Sequence, residues 1–407
     1  MTNLAVKKED YIHVPYGMAV HGQEEIDAVV HVLRTSTQMG KHVRELEAKV
    51  AKSFDKKHGI MVNSGSSALM LAMEVMDLPK GSEVITPALT FSTTVGYIVR
   101  SGLVPAFVDV AEGTFCLDPA KIEEMITPNT SAIVAPHLIG NIVNWTEILP
   151  IIKKYNLKVL EDSADTLGGT LNGQSSGHHA DISITSFYGS HVINCAGNGG
   201  MLCVNDNEYD RMARLLRSWG RSSSLFVESE TIENRFNVDV DGIEYDAKFV
   251  FEQVGHNLEP SELGAAFGLV QFDKLQDNIN ARVANFDKQI NYFKQYEDWF
   301  ILPKQTPNSR TGWLAFPITL REEAPFKRRD MQIFLEKRNI QTRVVFTGNI
   351  TRQPGFKDIN MKKAEEGYVE ADRVMRGGVL LACHHGLTDD MLSHVHESFD
   401  AFAAQYK

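Results

Sequence analysis

The sequence is poor in cysteine, short of positive charge, and without any long apolar run. Its four cysteines, Cys116, Cys195, Cys203 and Cys383, form no C-x-x-C pair. That pattern excludes a disulfide framework and fits reduced thiols in a cytoplasmic protein. Lys plus Arg number 41 against 52 for Asp plus Glu, a net charge of −11. A broad nucleic-acid surface needs clustered positive charge and is excluded, whereas a phosphorylated small molecule needs only a few local arginines. No apolar stretch reaches the length of a membrane span, and the polar opening residues lack the apolar core of a secretory signal. The expectation is a cytoplasmic protein with neither a membrane nor a nucleic acid as partner. One last absence is local: no lysine lies between Lys158 and Lys248.

What is present is the composition of a globular chain. At 407 residues, with 43% hydrophobic and 23% charged residues, it has material for a large domain and a smaller one. Short apolar strands are predicted at 59–62, 83–86, 104–110, 132–136, 157–161, around Ile182 and Ile184, and at 201–204. Helices are predicted between them: 23–54 with a break at Gln38-Met-Gly40, then 69–76, 92–101, 119–126 and 145–155. Ile26, Val29, Val30, Val32 and Leu33 are expected to line the buried face of the first. Strand–helix alternation predicts an α/β fold with a large, mostly parallel sheet covered on both faces. Further on, helices are expected at 206–219 and from 260 through 296, around a polar loop or hairpin at 220–249. A small α+β part should follow, with strands at 313–320, 341–346 and 378–382 and helices at 328–338, 368–376 and 389–405. The domain change is placed at 275/276, giving domains 1–275 and 276–407.

In a parallel sheet ligands bind beyond the carboxyl ends of the strands, and the chemically suggestive residues follow predicted strands. Asn63-Ser64-Gly65-Ser66-Ser67-Ala68 lies between a strand and a helix, the geometry that aims backbone N–H groups at a phosphate; it equally suits a serine-capped helix. Asp162 ends a strand, placed either to hold a protonated ring nitrogen or to cap the next helix. Phe91 reads as a ring-stacking aromatic or as core. Ser186 ends a strand, and His191 follows across a short polar turn.

The order of these motifs (S-G-S-S-A, P-A-L-T-F, E-D-S-A-D, S-F-Y-x-x-H, G-x-N) resembles the DegT/DnrJ/EryC1/StrS family of sugar aminotransferases, from about Gly22 to the C-terminus. The resemblance implies the type I fold of aspartate aminotransferase and pyridoxal 5′-phosphate (PLP) or pyridoxamine 5′-phosphate (PMP) as cofactor. It assigns Gly65, Ser66 and Ser186 to the cofactor phosphate, Phe91 to the ring face, Asp162 to the ring nitrogen and Asp165 to the ring hydroxyl. Asn257, in Gly255-His-Asn257, would enter the neighbouring subunit's site, making the working unit a homodimer. Arg221, Lys248, Arg343 and Arg352 are the candidates for anionic substrate groups. No metal site is expected.

The family's cofactor-bearing lysine should stand at 191, where this chain has histidine. That change points to the minority branch of 3-dehydratases, which act on nucleotide-linked 4-keto-6-deoxy sugars. The implied chemistry uses PMP, with His191 as the base that removes a proton while the C-3 hydroxyl leaves. L-glutamate would be the amino donor that restores PMP. Two departures stand out. Cluster-bearing relatives place cysteines after W-G-R, where this chain has Ser222-Ser223-Ser224, so no iron–sulfur cluster is expected. Glu259 stands where relatives carry a basic residue. The competing expectations are an aminotransferase that tolerates His191 and a non-catalytic PLP-binding homologue.

Overall fold

A computed structural model describes residues 8–226 and 231–406 of the chain. Residues 1–7, which entered the reading against a secretory signal, lie outside the described residues. The large sheet comprises β1 (His58–Val62), β2 (Glu83–Pro87), β3 (Val104–Val108), β4 (Thr130–Pro136), β5 (Lys158–Asp162), β6 (Ile182–Ser186) and β7 (Gly200–Val204). Their order is β1-β7-β6-β5-β4-β2-β3. Only β7 runs against its neighbours, pairing antiparallel with β1 and β6. The other pairs are parallel.

Burial explains why these runs are strands. Alternate side chains enter opposite layers: Ile60 and Val62 join Leu69, Ala72, Val84, Val134 and Leu160 on one face. Met61 points the other way, toward Val43, Leu46, Phe187 and Met201. The covering helices are α1 (Gln23–Thr35), α2 (Lys41–Ser53), α3 (Gly65–Val75), α4 (Ser92–Arg100), α5 (Trp145–Tyr155), α6 (Asn207–Arg217) and α7 (Glu262–Asp273), before the long α8 (Leu275–Phe293). A second, antiparallel sheet is built from β8 (Phe300–Ile301), β9 (Phe316–Leu320) and β10 (Gly378–Leu381). It packs with α9 (Arg328–Lys337), α10 (Val369–Gly377) and α11 (Asp389–Ala403) on an aromatic core that includes Phe293, Phe300, Phe316 and Phe399. Val14 bridges to Ile340, so the chain's start lies against its last third.

Several expectations fail for local reasons. The helix expected at 119–126 is two 3₁₀ turns, Pro119–Lys121 and Glu123–Met125, the first capped by Asp118. The strand expected at 341–346 forms only one bridge, Arg343 to Leu380, because Phe346 and Gly348 turn into positive φ. The helix expected from Leu69 begins four residues earlier, with Ser64 capping the Ser67 N–H. In α1, Val32 is buried but Ile26 and Leu33 are exposed. Trp219 lies beyond the end of α6, at φ 60.

Candidate active site

A cavity of about 350 Å³ opens where β1, β2, β4, β5 and β6 end. Its lining brings together Gly65, Ser66, Phe91, Asp162, Asp165, Ser186 and His191, seven of the residues singled out in the sequence. Ser64 Oγ accepts from the Ser67 N–H at 3.1 Å and lies 2.9 Å from Ser67 Oγ. Gly65 opens α3 so close to β6 that a Cβ there would sit 2.6 Å from Ser186 Cβ. The first turn of α3 can approach the Ser186 turn only because residue 65 has no side chain, and that leaves a helix N-terminus facing the cavity.

Asp162 and Asp165 are both buried. Asp162 accepts from Thr94 Oγ1 at 2.9 Å and from the Ala164 N–H at 3.2 Å. Asp165 accepts from the Ile139 N–H at 2.9 Å. Burial raises the pKa of both, Asp165's to about 7, with Asp162's charge adding to the effect. Among the described residues the cavity lining holds no lysine or arginine, so burial favours the protonated form of these carboxyls, and a cationic ligand group beside them would favour the charged form. Behind Asp162, His137 Nε2 lies 3.1 Å from Glu161, both fully buried. The Val143 N–H donates to His137 Nδ1 at 3.0 Å, which leaves the proton on Nε2 toward the carboxylate.

His191 is presented by a turn pinned at both ends, by buried Phe187 before it and by buried Val192 and Ile193 after it. Its Nδ1 lies 3.1 Å from the Ser186 carbonyl oxygen. A carbonyl only accepts, so Nδ1 carries the proton and Nε2 keeps a free lone pair. Nε2 stands 3.8 Å from Asp165, beyond hydrogen-bond length. Burial, with the nearby Arg282 charge, lowers the imidazole pKa to about 4. Arg282, fully buried on α8, donates to the carbonyls of His191, Trp313 and Leu314. It thereby ties the histidine turn to the cavity wall.

Phe91 is 49% exposed and meets Phe346 edge-on at 5.9 Å, so it is not a core residue. Asn257, Arg221, Lys248, Arg343 and Arg352 do not line the cavity. Asn257 bridges to Ser218. Arg221 lies over the Trp219 ring, and Lys248 sits in a 3₁₀ turn. Arg343 is 5.6 Å from the ring of Tyr16, a lining residue. Arg352 is held by Asp372 through two 2.5 Å contacts. The sequence reading missed Tyr16, Thr94, His137, Asn198 and Arg282. Thr94 alone carried a local signal, one helical turn after Thr90-Phe91.

Residues 20–400 match the DegT/DnrJ/EryC1/StrS aminotransferase family. The chain belongs to that family. It is 34% identical over 404 residues to a dTDP-4-dehydro-2,6-dideoxy-D-glucose 3-dehydratase of Saccharopolyspora spinosa, covering 96% of this chain and 86% of that protein. A GDP-perosamine synthase of Caulobacter vibrioides is 32% identical over 273 residues, 67% of this chain and 66% of its own. Among solved structures, the Escherichia coli GDP-4-keto-6-deoxy-D-mannose-3-dehydratase with bound hydrated PLP superposes with a TM-score of 0.86 at 26% identity, covering 95% of this chain and all of that one. The fold is therefore that of the PLP-dependent aminotransferases, and the family's members modify sugars. No described helix is long and apolar enough to cross a membrane.

Proposed function

We propose that this protein is a nucleotide-sugar 3-dehydratase that removes the C-3 hydroxyl of a nucleotide-linked 4-keto-6-deoxyhexose, with His191 as its base. The observation that carries this reading is the state of His191: Nδ1 is committed to the Ser186 carbonyl, Nε2 is free, and no lysine is among the described cavity-lining residues. The cofactor is PLP, cycling through PMP, and the residues fit it. Gly65, Ser66 and Ser186 line the cavity at the start of α3, where a helix N-terminus suits a phosphate; Phe91 offers an open ring face and Asp162 a carboxyl for the ring nitrogen.

When bound, the cofactor would supply a methylene proton for a base to remove and an electron sink that lowers the cost of removing it. Asp162, braced by Thr94, holds the proton on the ring nitrogen that keeps the sink effective. Asp165 would face the ring hydroxyl as its hydrogen-bond partner. His191 Nε2 takes the proton and returns it to the departing C-3 hydroxyl. A lysine here would compete through covalent attachment; imidazole performs acid–base work alone. L-glutamate is the amino donor in this reading.

The working unit in this reading is a homodimer with shared sites. Among the described residues, ten of the twenty exposed large apolar side chains fall between Trp219 and Val254. The segment carrying Asn257 follows directly. Such a patch in a water-soluble enzyme marks a contact surface.

The deciding experiment is mass spectrometry of the product from a CDP-, GDP- or dTDP-4-keto-6-deoxy sugar, with PLP and L-glutamate. A sugar lighter by one oxygen, with ammonia released, supports dehydration. A product that has gained an amine in place of the keto oxygen identifies an aminotransferase instead, the activity of the perosamine synthase relative. Cofactor binding without turnover of any sugar favours a non-catalytic homologue.

A further inference from the structure

We propose that Trp219, Arg221 and Glu259 form a subsite for the diphosphate and base of a nucleoside diphosphate, a proposal that rests on the nucleotide-linked substrate above. The cavity lining contributes Asp162 and Asp165 and, among the described residues, no lysine or arginine, whereas a nucleotide-linked sugar brings a diphosphate. The nearby arginines are largely committed: Arg352 to Asp372, Arg214 and Arg217 to Glu47, Arg282 to three carbonyls.

Arg221 differs from these. Its guanidinium lies 4.3 Å above the Trp219 ring centre. The carboxylate facing it, Glu259, is 3.9 Å away, beyond hydrogen-bond length. Its Nε is buried with no hydrogen-bond partner. A guanidinium layered on an indole is a planar cation with donors to spare, suited to phosphate oxygens and to a stacked base.

The backbone is built to hold this platform. Trp219 adopts φ 60 and Gly220 φ 81. A Cβ on Gly220 would lie 1.9 Å from the Gln253 carbonyl oxygen, and one on Gly255 2.4 Å from the Gly220 nitrogen. The Trp219 N–H donates to the His256 carbonyl at 2.6 Å. A bulky residue held in the left-handed region costs free energy and persists where the surroundings demand it. The segment carrying Glu259 is tied to the cavity wall: the Asn63 N–H donates to the Leu258 carbonyl at 3.0 Å, one residue before the lining residues Ser64 and Gly65. Glu259 then acts as a counterweight, partly neutralising Arg221 and weakening its hold on an anion.

The test is calorimetric titration of the PLP-loaded enzyme with free CDP, GDP and dTDP. Arg221→Gln is expected to weaken binding at least ~10-fold by removing a charge-assisted contact. Glu259→Gln is expected to tighten it ~3-fold by removing an opposing, partly exposed charge. PLP absorbance should be unchanged in both, and Trp219→Phe should abolish the ligand-induced change in tryptophan fluorescence. A merely structural ion pair would shift both variants the same way or neither, which overturns the proposal. If Arg221→Gln does not fold, Glu259→Gln decides alone. Failure of the unmodified enzyme to bind all three nucleotides overturns instead the nucleotide-linked reading beneath it.

Discussion

At the scale of single residues, the site is defined by where protons rest. His191 and Asp165 face each other at 3.8 Å with pKa values displaced in opposite directions, to about 4 and about 7. Near neutrality this pairs a neutral imidazole with a carboxyl close to its midpoint, while the cavity lining offers no lysine or arginine among the described residues. His191→Asn is expected to lower kcat by ~10³-fold or more, with PLP still bound, since a general base of this kind is worth ~10²–10⁴; single-turnover kinetics would check it. His191→Lys should attach the cofactor covalently, read as a shift of its absorption band, and should abolish the proposed deoxygenation. Asp165 also makes a stability prediction. Its folded pKa of about 7 exceeds the ordinary 3.8, so between those values the unfolded chain ionises first and the folded protein loses stability. Asp165→Asn should stabilise the cofactor-free protein by on the order of 2 kcal/mol above pH 7 and by nothing below pH 4, measured by urea unfolding across that range.

At the scale of elements, the active edge is made by close approaches between a helix start and strand ends. Gly65 on α3 meets Ser186 at the end of β6. Gly200, opening β7, leaves a Cβ position 2.3 Å from the Ser64 carbonyl oxygen. Gly65→Ala should weaken PLP binding ~10-fold or more by driving α3 and the Ser186 turn apart, an overpacking effect of ~1–3 kcal/mol; equilibrium dialysis reads it directly. A different device holds α2. Glu262 from α7 accepts the backbone N–H groups of Gly40, His42 and Val43, and it also contacts His42 Nδ1. Glu262→Ala would leave buried donors without partners, at a cost of ~2–4 kcal/mol, seen as a lower urea midpoint without any change in the cofactor spectrum.

At the scale of the whole molecule, two properties emerge that no element has alone. His384 is buried and His191 and His385 are part-buried; desolvation holds all three neutral, with folded pKa values of about 4 for His191 and His384 and about 3 for His385 against an ordinary 6.5. Folded pKa values below the unfolded value mean that stability is full above pH 6.5 and falls as the pH drops toward 4, where unfolding binds protons. His384→Asn should flatten that acid limb in a Tm-against-pH series. The second property is the apolar surface from Trp219 to Val254. With Phe249 and Phe251 each 57% exposed, the double change Phe249→Lys and Phe251→Lys tests the proposed homodimer: it should lower the sedimenting mass to that of one chain and reduce turnover.

Period and turn chemistry made much of the frame legible. Alternating apolar strands and helices are local signals, so the large sheet, α5 and the order of site motifs could be read in advance. Seven candidate residues follow strand ends, and a parallel sheet gathers its strand ends at one edge; the fold class therefore implied their convergence. The missing lysine and its replacement His191 were visible without coordinates for the same reason: each is a property of one position in a motif. Other features rested on contacts between distant segments. Tyr16 reaches the cavity from the chain's start, Arg282 reaches His191 from 91 positions away, and the His137–Glu161 pair joins the ends of neighbouring strands. None of these has a local spacing to announce it. The protonation of His191 is the clearest case, because a carbonyl orientation and burial set which nitrogen is free, and both arise only when the chain closes on itself.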